Sequence, residues 1–172
     1  MNRITQFSKY GILRGAIAIA ILLAIPQKIQ GQEVFNMVLD NATKIVNSPT
    51  ASFTATRIAQ FKCTALTYLK NEAFKQRPVV TEQFLNTQAY YLSEYLTLFF
   101  DQVISTRDKS DKVRKERIMA FAKASVNNPL FNDPDKETTR SYIESDSELT
   151  PFSLDTDWQK AFEEVKKEIA QE

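Results

Sequence analysis

Thr81–Ser105 reads TEQFLNTQAYYLSEYLTLFFDQVIS, and its apolar residues repeat with the period of an α-helix. Phe84, Tyr91, Tyr95 and Gln102 fall on one line, with Leu85, Leu92, Leu96, Phe99 and Val103 on the adjacent one. Spacings of three, four and seven keep side chains on one side of a helix, which turns once in about 3.6 residues. Asn86, Ser93, Glu94, Thr97 and Asp101 take the other side, where water is expected. Tyr90 also falls there, and Phe100 lies near its margin. A helix this apolar needs other helices to cover it.

The chain on either side supplies them. Glu33–Val46 carries Val34, Val38, Ala42 and Ile45 at helical spacing. Ser48-Pro49 then offers an N-cap and a first helical residue whose missing N–H costs nothing. A second helix is therefore predicted over 49–76, with Ile58, Ala65, Leu69 and Ala73 inward. Its apolar arc covers about two-thirds of the circumference, wider than a surface helix needs, so it is expected to be touched from more than one side.

Beyond the aromatic helix, Ser110 or Asp111 can cap a helix over 112–126 with Val113, Ala120, Phe121 and Ala124 inward. Asn127-Asn128-Pro129 ends it. A short helix is predicted over 134–143, then a polar, acidic connector over 144–153. Asp155 is expected to cap a last helix over 156–170, whose Trp158, Phe162, Val165 and Ile169 face inward. Within Phe152–Trp158 (FSLDTDW) the physical reading is a cap with Trp158 anchoring that helix. No strand-like alternation of any length interrupts the series. The expectation is an all-α, single-domain bundle of about five main helices over residues 32–172.

Residues 1–31 read differently. Arg3, Lys9 and Arg14 precede the apolar run Ala16–Ile25, which Pro26 ends. This is the pattern of a signal peptide, too short for a comfortable membrane span of about 20 residues. Cleavage near Gly31 is expected, with an uncleaved membrane anchor as the alternative. Removing 1–31 leaves 18 basic against 21 acidic residues, a net charge of −3 in place of +1. The expected location is periplasmic or extracellular, and the membrane is met only through the signal.

Composition excludes several chemistries. All three glycines lie in the first 31 residues and there is no histidine. Without glycine the body has no Walker-type phosphate loop or dinucleotide fingerprint, and without histidine no histidine-dependent triad. Cys63 is the one cysteine, so His- or multi-Cys zinc sites are excluded. No cofactor and no metal are expected. A mildly acidic body whose basic run has no interleaved aromatics argues against nucleic acid as a partner.

Candidate sites stand against plainer readings. Arg107–Arg117 is locally +3 and Asp133–Asp157 locally −6; Lys109, Lys112, Arg114 and Lys115 are candidate partner-binding residues, or part of a solvated face. Phe61, Leu66, Tyr91 and Tyr95 are candidates to line a cavity for a small hydrophobic ligand between the second and third helices, although packing alone explains such aromatics. Lys62 and Lys70 project from the apolar side of the second helix. They either snorkel to water, pair with a carboxylate such as Glu72, or hold an anionic ligand. Cys63 reads as a small buried hydrophobe. Glu94 and Asp101, two turns apart, could mimic the carboxylates of a glycoside hydrolase, but a solvated face accounts for them. No catalytic residues are selected. The expected function is a non-enzymatic protein-interaction module with an unidentified protein partner. A carrier of a small hydrophobic ligand is the alternative, and a histidine-free hydrolase comes third.

Overall fold

The computed structural model describes residues 32–75, 80–126, 128, 131 and 156–170. These hold five α-helices: α1 (Gln32–Val46), α2 (Phe53–Lys75), α3 (Glu82–Ser105), α4 (Asp111–Ala124) and α5 (Trp158–Ala170). The protein is an all-α bundle. The expected signal peptide, the short helix over 134–143 and the connector over 144–153 lie outside the described residues; the last helix starts at Trp158 behind Asp157, not at Thr156 behind Asp155.

The aromatic helix α3 is the axis, and it packs against all four of the others. α2 packs against α1 and α3, so it is covered from two sides as its wide apolar arc predicts, but the central helix is α3. Its cap is the expected one: the Thr81 hydroxyl accepts from the Phe84 N–H at 3.2 Å. α2 starts later than predicted. Ser52 takes the cap, accepting from the Ala55 N–H at 3.2 Å, while the Ser48 hydroxyl accepts from the Thr50 N–H and holds residues 48–50 in a turn. A serine hydroxyl spent on its own turn cannot also open a helix. At α5 the cap is Asp157, whose Oδ1 accepts from the N–H groups of Gln159 and Lys160.

The core is an aromatic chain threaded through α3. Phe61 of α2 meets Phe100 edge-to-face at 5.2 Å between centroids. Phe100 meets Phe99, and Phe99 meets Phe121 and Phe131. Tyr95 then joins Phe121, Phe131 and Trp158 at 5.3, 5.0 and 5.4 Å. Its hydroxyl donates to the Phe121 carbonyl. Edge-to-face geometry places the electropositive ring edge on the electronegative face of a neighbour, adding about 0.5–1.5 kcal/mol per pair beyond burial.

Several facing predictions are corrected. Phe84, expected inward, is 52% exposed, and Ile45 and Val113 are also exposed. Asn86 and Ser93, expected in water, are buried, as is Phe100. With four helices around it, α3 has its polar side covered too, and its buried polar groups are satisfied across helices. Asn86 Oδ1 accepts from the Phe35 N–H of α1 at 2.8 Å, and its Nδ2 donates to the Glu82 carbonyl. Gln88 Oε1 accepts from the Trp158 N–H at 2.8 Å.

The lack of glycine leaves a mark where α4 ends. Val126 follows the C-cap Ser125 with φ of 56°, and its N–H bonds the Lys123 carbonyl. That is the left-handed position of a helix C-terminus, where glycine is the usual occupant and a β-branched residue is strained. Its side chain is 78% exposed, so packing does not repay the strain. Val126→Gly is expected to stabilise the protein by about 1 kcal/mol in urea unfolding, through relief of that strain; destabilisation would contradict the strained geometry. In the same assay Tyr95→Phe is expected to cost about 1 kcal/mol for the lost hydrogen bond. Tyr95→Ala should cost about 3–5 kcal/mol for the cavity.

Candidate functional site

One end of the bundle carries a concave apolar site. The start of α1, the last turns of α2 and the start of α3 meet around a hollow of about 210 Å3. Phe35 and Asn36 contribute from α1, Lys70 and Phe74 from α2, and Val80, Glu82, Leu85 and Asn86 from the entry to α3. Lys70 and Phe74 stand four residues apart, which places them on one face of α2. Asn86 ties the site together, because its amide holds the Phe35 backbone on one side and the Glu82 carbonyl on the other. The amide is thereby occupied on both ends and acts as a rigid wall.

Lys70 supplies the cation. Its Nζ lies 5.0 Å from the centre of the Phe35 ring. An ammonium over a ring face gains about 0.5–1 kcal/mol when partly exposed. The Glu72 carboxylate, considered above as its partner, pairs instead with Lys75. Among the described residues Lys70 makes no ion pair.

The sequence-based candidates do not converge on this hollow. Phe61, Leu66 and Tyr95 are fully buried, and Phe61 and Tyr95 are committed to ring contacts within the core. Tyr91 is half-buried, edge-to-face with Tyr90 at 5.2 Å and tilted against Phe162 of α5 at 5.9 Å. Of the basic stretch, Lys109, Lys112 and Lys115 are exposed around the start of α4, at the far end of α3. Arg114 is drawn into local structure, pairing with Asp111 and donating to the Arg107 carbonyl at 3.2 Å. Lys112 stands 3.9 Å from Glu116. Part of the local positive charge is thus balanced within α4 itself.

Lys62 does not snorkel. Its ammonium donates to the Thr97 hydroxyl of α3, and that hydroxyl donates in turn to the Ser93 carbonyl. Burial pushes the Lys62 pKa below the ordinary lysine value, against the pull of Glu94 and Asp101. Burial likewise lifts the carboxyls of Glu94 and Asp101, against the pull of Lys62. The carboxylate pair weighed as a hydrolase site therefore has a lysine within electrostatic range of both members. Cys63 is partly buried, with its sulfur 3.7 Å from the Thr43 hydroxyl.

Sequence reasoning missed the hollow because it forms where three helix ends meet, and each helix was read along its own axis. Lys70 on an apolar face was the one signal that pointed toward it. Among the described residues no group of three acidic or cysteine side chains is placed to hold a metal, and no helix is long and apolar enough to cross a membrane. No known protein family matches the chain, and neither a curated protein nor a solved structure is significantly similar to it.

The Lys62 environment has a measurable consequence. A lowered folded-state pKa means that burying the charged ammonium costs stability in full below that pKa. The cost fades as pH rises toward 10.5, where the unfolded lysine also loses its proton. Lys62→Met, which keeps the stem and removes the charge, is expected to stabilise the protein by about 1 kcal/mol at neutral pH. Thermal unfolding of both chains from pH 7 upward should show that advantage shrinking. A constant difference would mean that the ammonium is not paying for its desolvation.

Proposed function

We propose that the protein is an exported, non-enzymatic helical interaction module that meets a protein partner at the hollowed end of the bundle. One observation carries the reading: an apolar concavity with an exposed aromatic, Phe74, on its wall. Phe74 on its wall is 56% exposed, Phe84 beside Leu85 is 52% exposed, and Met37 next to Asn36 is 40% exposed. Single exposed apolar residues are ordinary on a protein surface. An exposed aromatic on the wall of an apolar concavity, with a second aromatic and a methionine exposed on the helix starts at the same end of the bundle, supplies residue types that anchor protein interfaces. The export part rests on the charge and apolar pattern of residues 1–31. A second contact surface is proposed at Lys109, Lys112, Arg114 and Lys115, with Lys109 the most available of the four.

A carrier of a small hydrophobic ligand is the second reading, and the hollow itself favours it. The ligand would then sit against Phe35, Phe74 and Leu85 and not beside Phe61, Leu66, Tyr91 and Tyr95. Its size argues for the first reading, since pockets for drug-sized molecules span about 300–1,000 Å3.

Native mass spectrometry of the protein, purified gently from the cells that make it, separates these readings. A protein partner retained by the wild type and lost from the Phe74→Ser/Phe84→Ser variant is the expected result. A partner kept by that variant would move the contact elsewhere, and a co-purifying small molecule in place of a protein would favour the carrier.

A further inference from the structure

We propose that the hollow between α1, α2 and α3 receives the C-terminal residue of a partner polypeptide, its bulky apolar side chain inside and its free carboxylate on the Lys70 ammonium. The inference rests on the interaction-module reading and names what the module would recognise.

The walls fix the chemistry. Phe35, Phe74, Val80 and Leu85 make the interior apolar, and the Asn86 amide is already satisfied within the protein. Among the described residues, Lys70 is then the cationic donor of the lining. Its ammonium rests on the Phe35 ring, and the nearby Glu72 carboxylate is held by Lys75. A carboxylate delivered beside Lys70 gains a charge-assisted hydrogen bond at a partly dehydrated wall. Glu82 also lines the hollow and opposes added negative charge, so the ligand carboxylate has to lie on the Lys70 side.

Size and surroundings select the source. At about 210 Å3 the hollow has room for one bulky side chain. In a C-terminal residue the side chain and the carboxylate leave the same Cα, so both arrive together in a site this small. An internal Asp or Glu would have to fold its carboxylate back from a neighbouring residue. The exposed part of Phe74, on the wall of the hollow, offers the preceding residues a surface that a free small acid would leave bare.

The test is fluorescence anisotropy with the full chain and labelled hexapeptides of five serines and a terminal phenylalanine, as free acid and as C-terminal amide. The free acid is expected to bind, and the amide about tenfold more weakly, because it lacks the charged acceptor. A terminal alanine in place of phenylalanine should also weaken binding. Lys70→Met, checked for unchanged thermal unfolding, should erase the difference between acid and amide. Equal binding of acid and amide to the wild type overturns the proposal without reference to any variant. So does N-acetylphenylalanine binding as tightly as the hexapeptide, which would make this a small-acid site. If no peptide binds while a native partner still depends on Phe74 and Phe84, the C-terminal inference fails and the interaction module stands. If that dependence is also missing, both fail.

Discussion

The structure depends on one constraint: α3 is enclosed by four other helices, with Tyr95 at the centre of the enclosure. A helix packed against four others keeps only a narrow strip, half-buried along Thr87, Tyr90, Glu94 and Leu98 and exposed at Asp101, on which a polar group can meet water. Each polar residue off that strip must either reach a partner on another element or lie at an end. Tyr95 meets the requirement by sending its hydroxyl to the Phe121 carbonyl while its ring packs edge-to-face against three others. Asn86 and Gln88 meet it by holding backbone N–H groups of α1 and α5. Thr97 meets it by accepting from Lys62. The polar side of α3 is therefore a set of clasps, each locating a different neighbour.

A second set of clasps fixes the join between α4 and α5. The Thr156 hydroxyl donates to the Ser125 carbonyl and accepts from the Asn128 amide, all three residues being buried. Gln88 Nε2 also reaches the Asp157 carboxylate that caps α5. The start of α5 is thus held by α3, by the end of α4 and by its own cap. Hydrogen bonds of this buried kind are individually modest, yet leaving one member unpaired costs about 1–3 kcal/mol. They act mainly to specify which arrangement of helices is adopted.

The helices were legible because apolar periodicity is a local property of the chain. Thr81 as a cap, the length of the aromatic helix and the inward Trp158 could all be read from spacing alone. Facing was less legible. The pattern assigned Asn86 and Ser93 to water because it assumes one wet side per helix, an assumption that fails for the one helix enclosed by four others. Phe84 was assigned inward because it lies in register with Tyr91 and Tyr95, but it sits in the first turn, at the end of the bundle, where little covers it. Ser48 and Ser52 are equally good caps by residue type, and the turn around Ser48 decides between them. The hollow was the least legible feature, since Phe35, Lys70 and Leu85 become neighbours only when three helix ends meet.

The anchoring of α5 has a kinetic side. α1, α2 and α3 are consecutive in sequence and pack on one another, so they can assemble through short chain closures. The bond between Gln88 and Trp158 spans 70 residues. Its closure entropy must be met before any ring contact of Trp158 rewards it. A chain emerging from synthesis therefore presents Tyr95 covered by Phe121 of α4 but still without Trp158 until the last helix is made. For that interval the apolar surface that Trp158, Ala161 and Val165 later cover is open to the solvent, and whatever sequesters it then bears on yield.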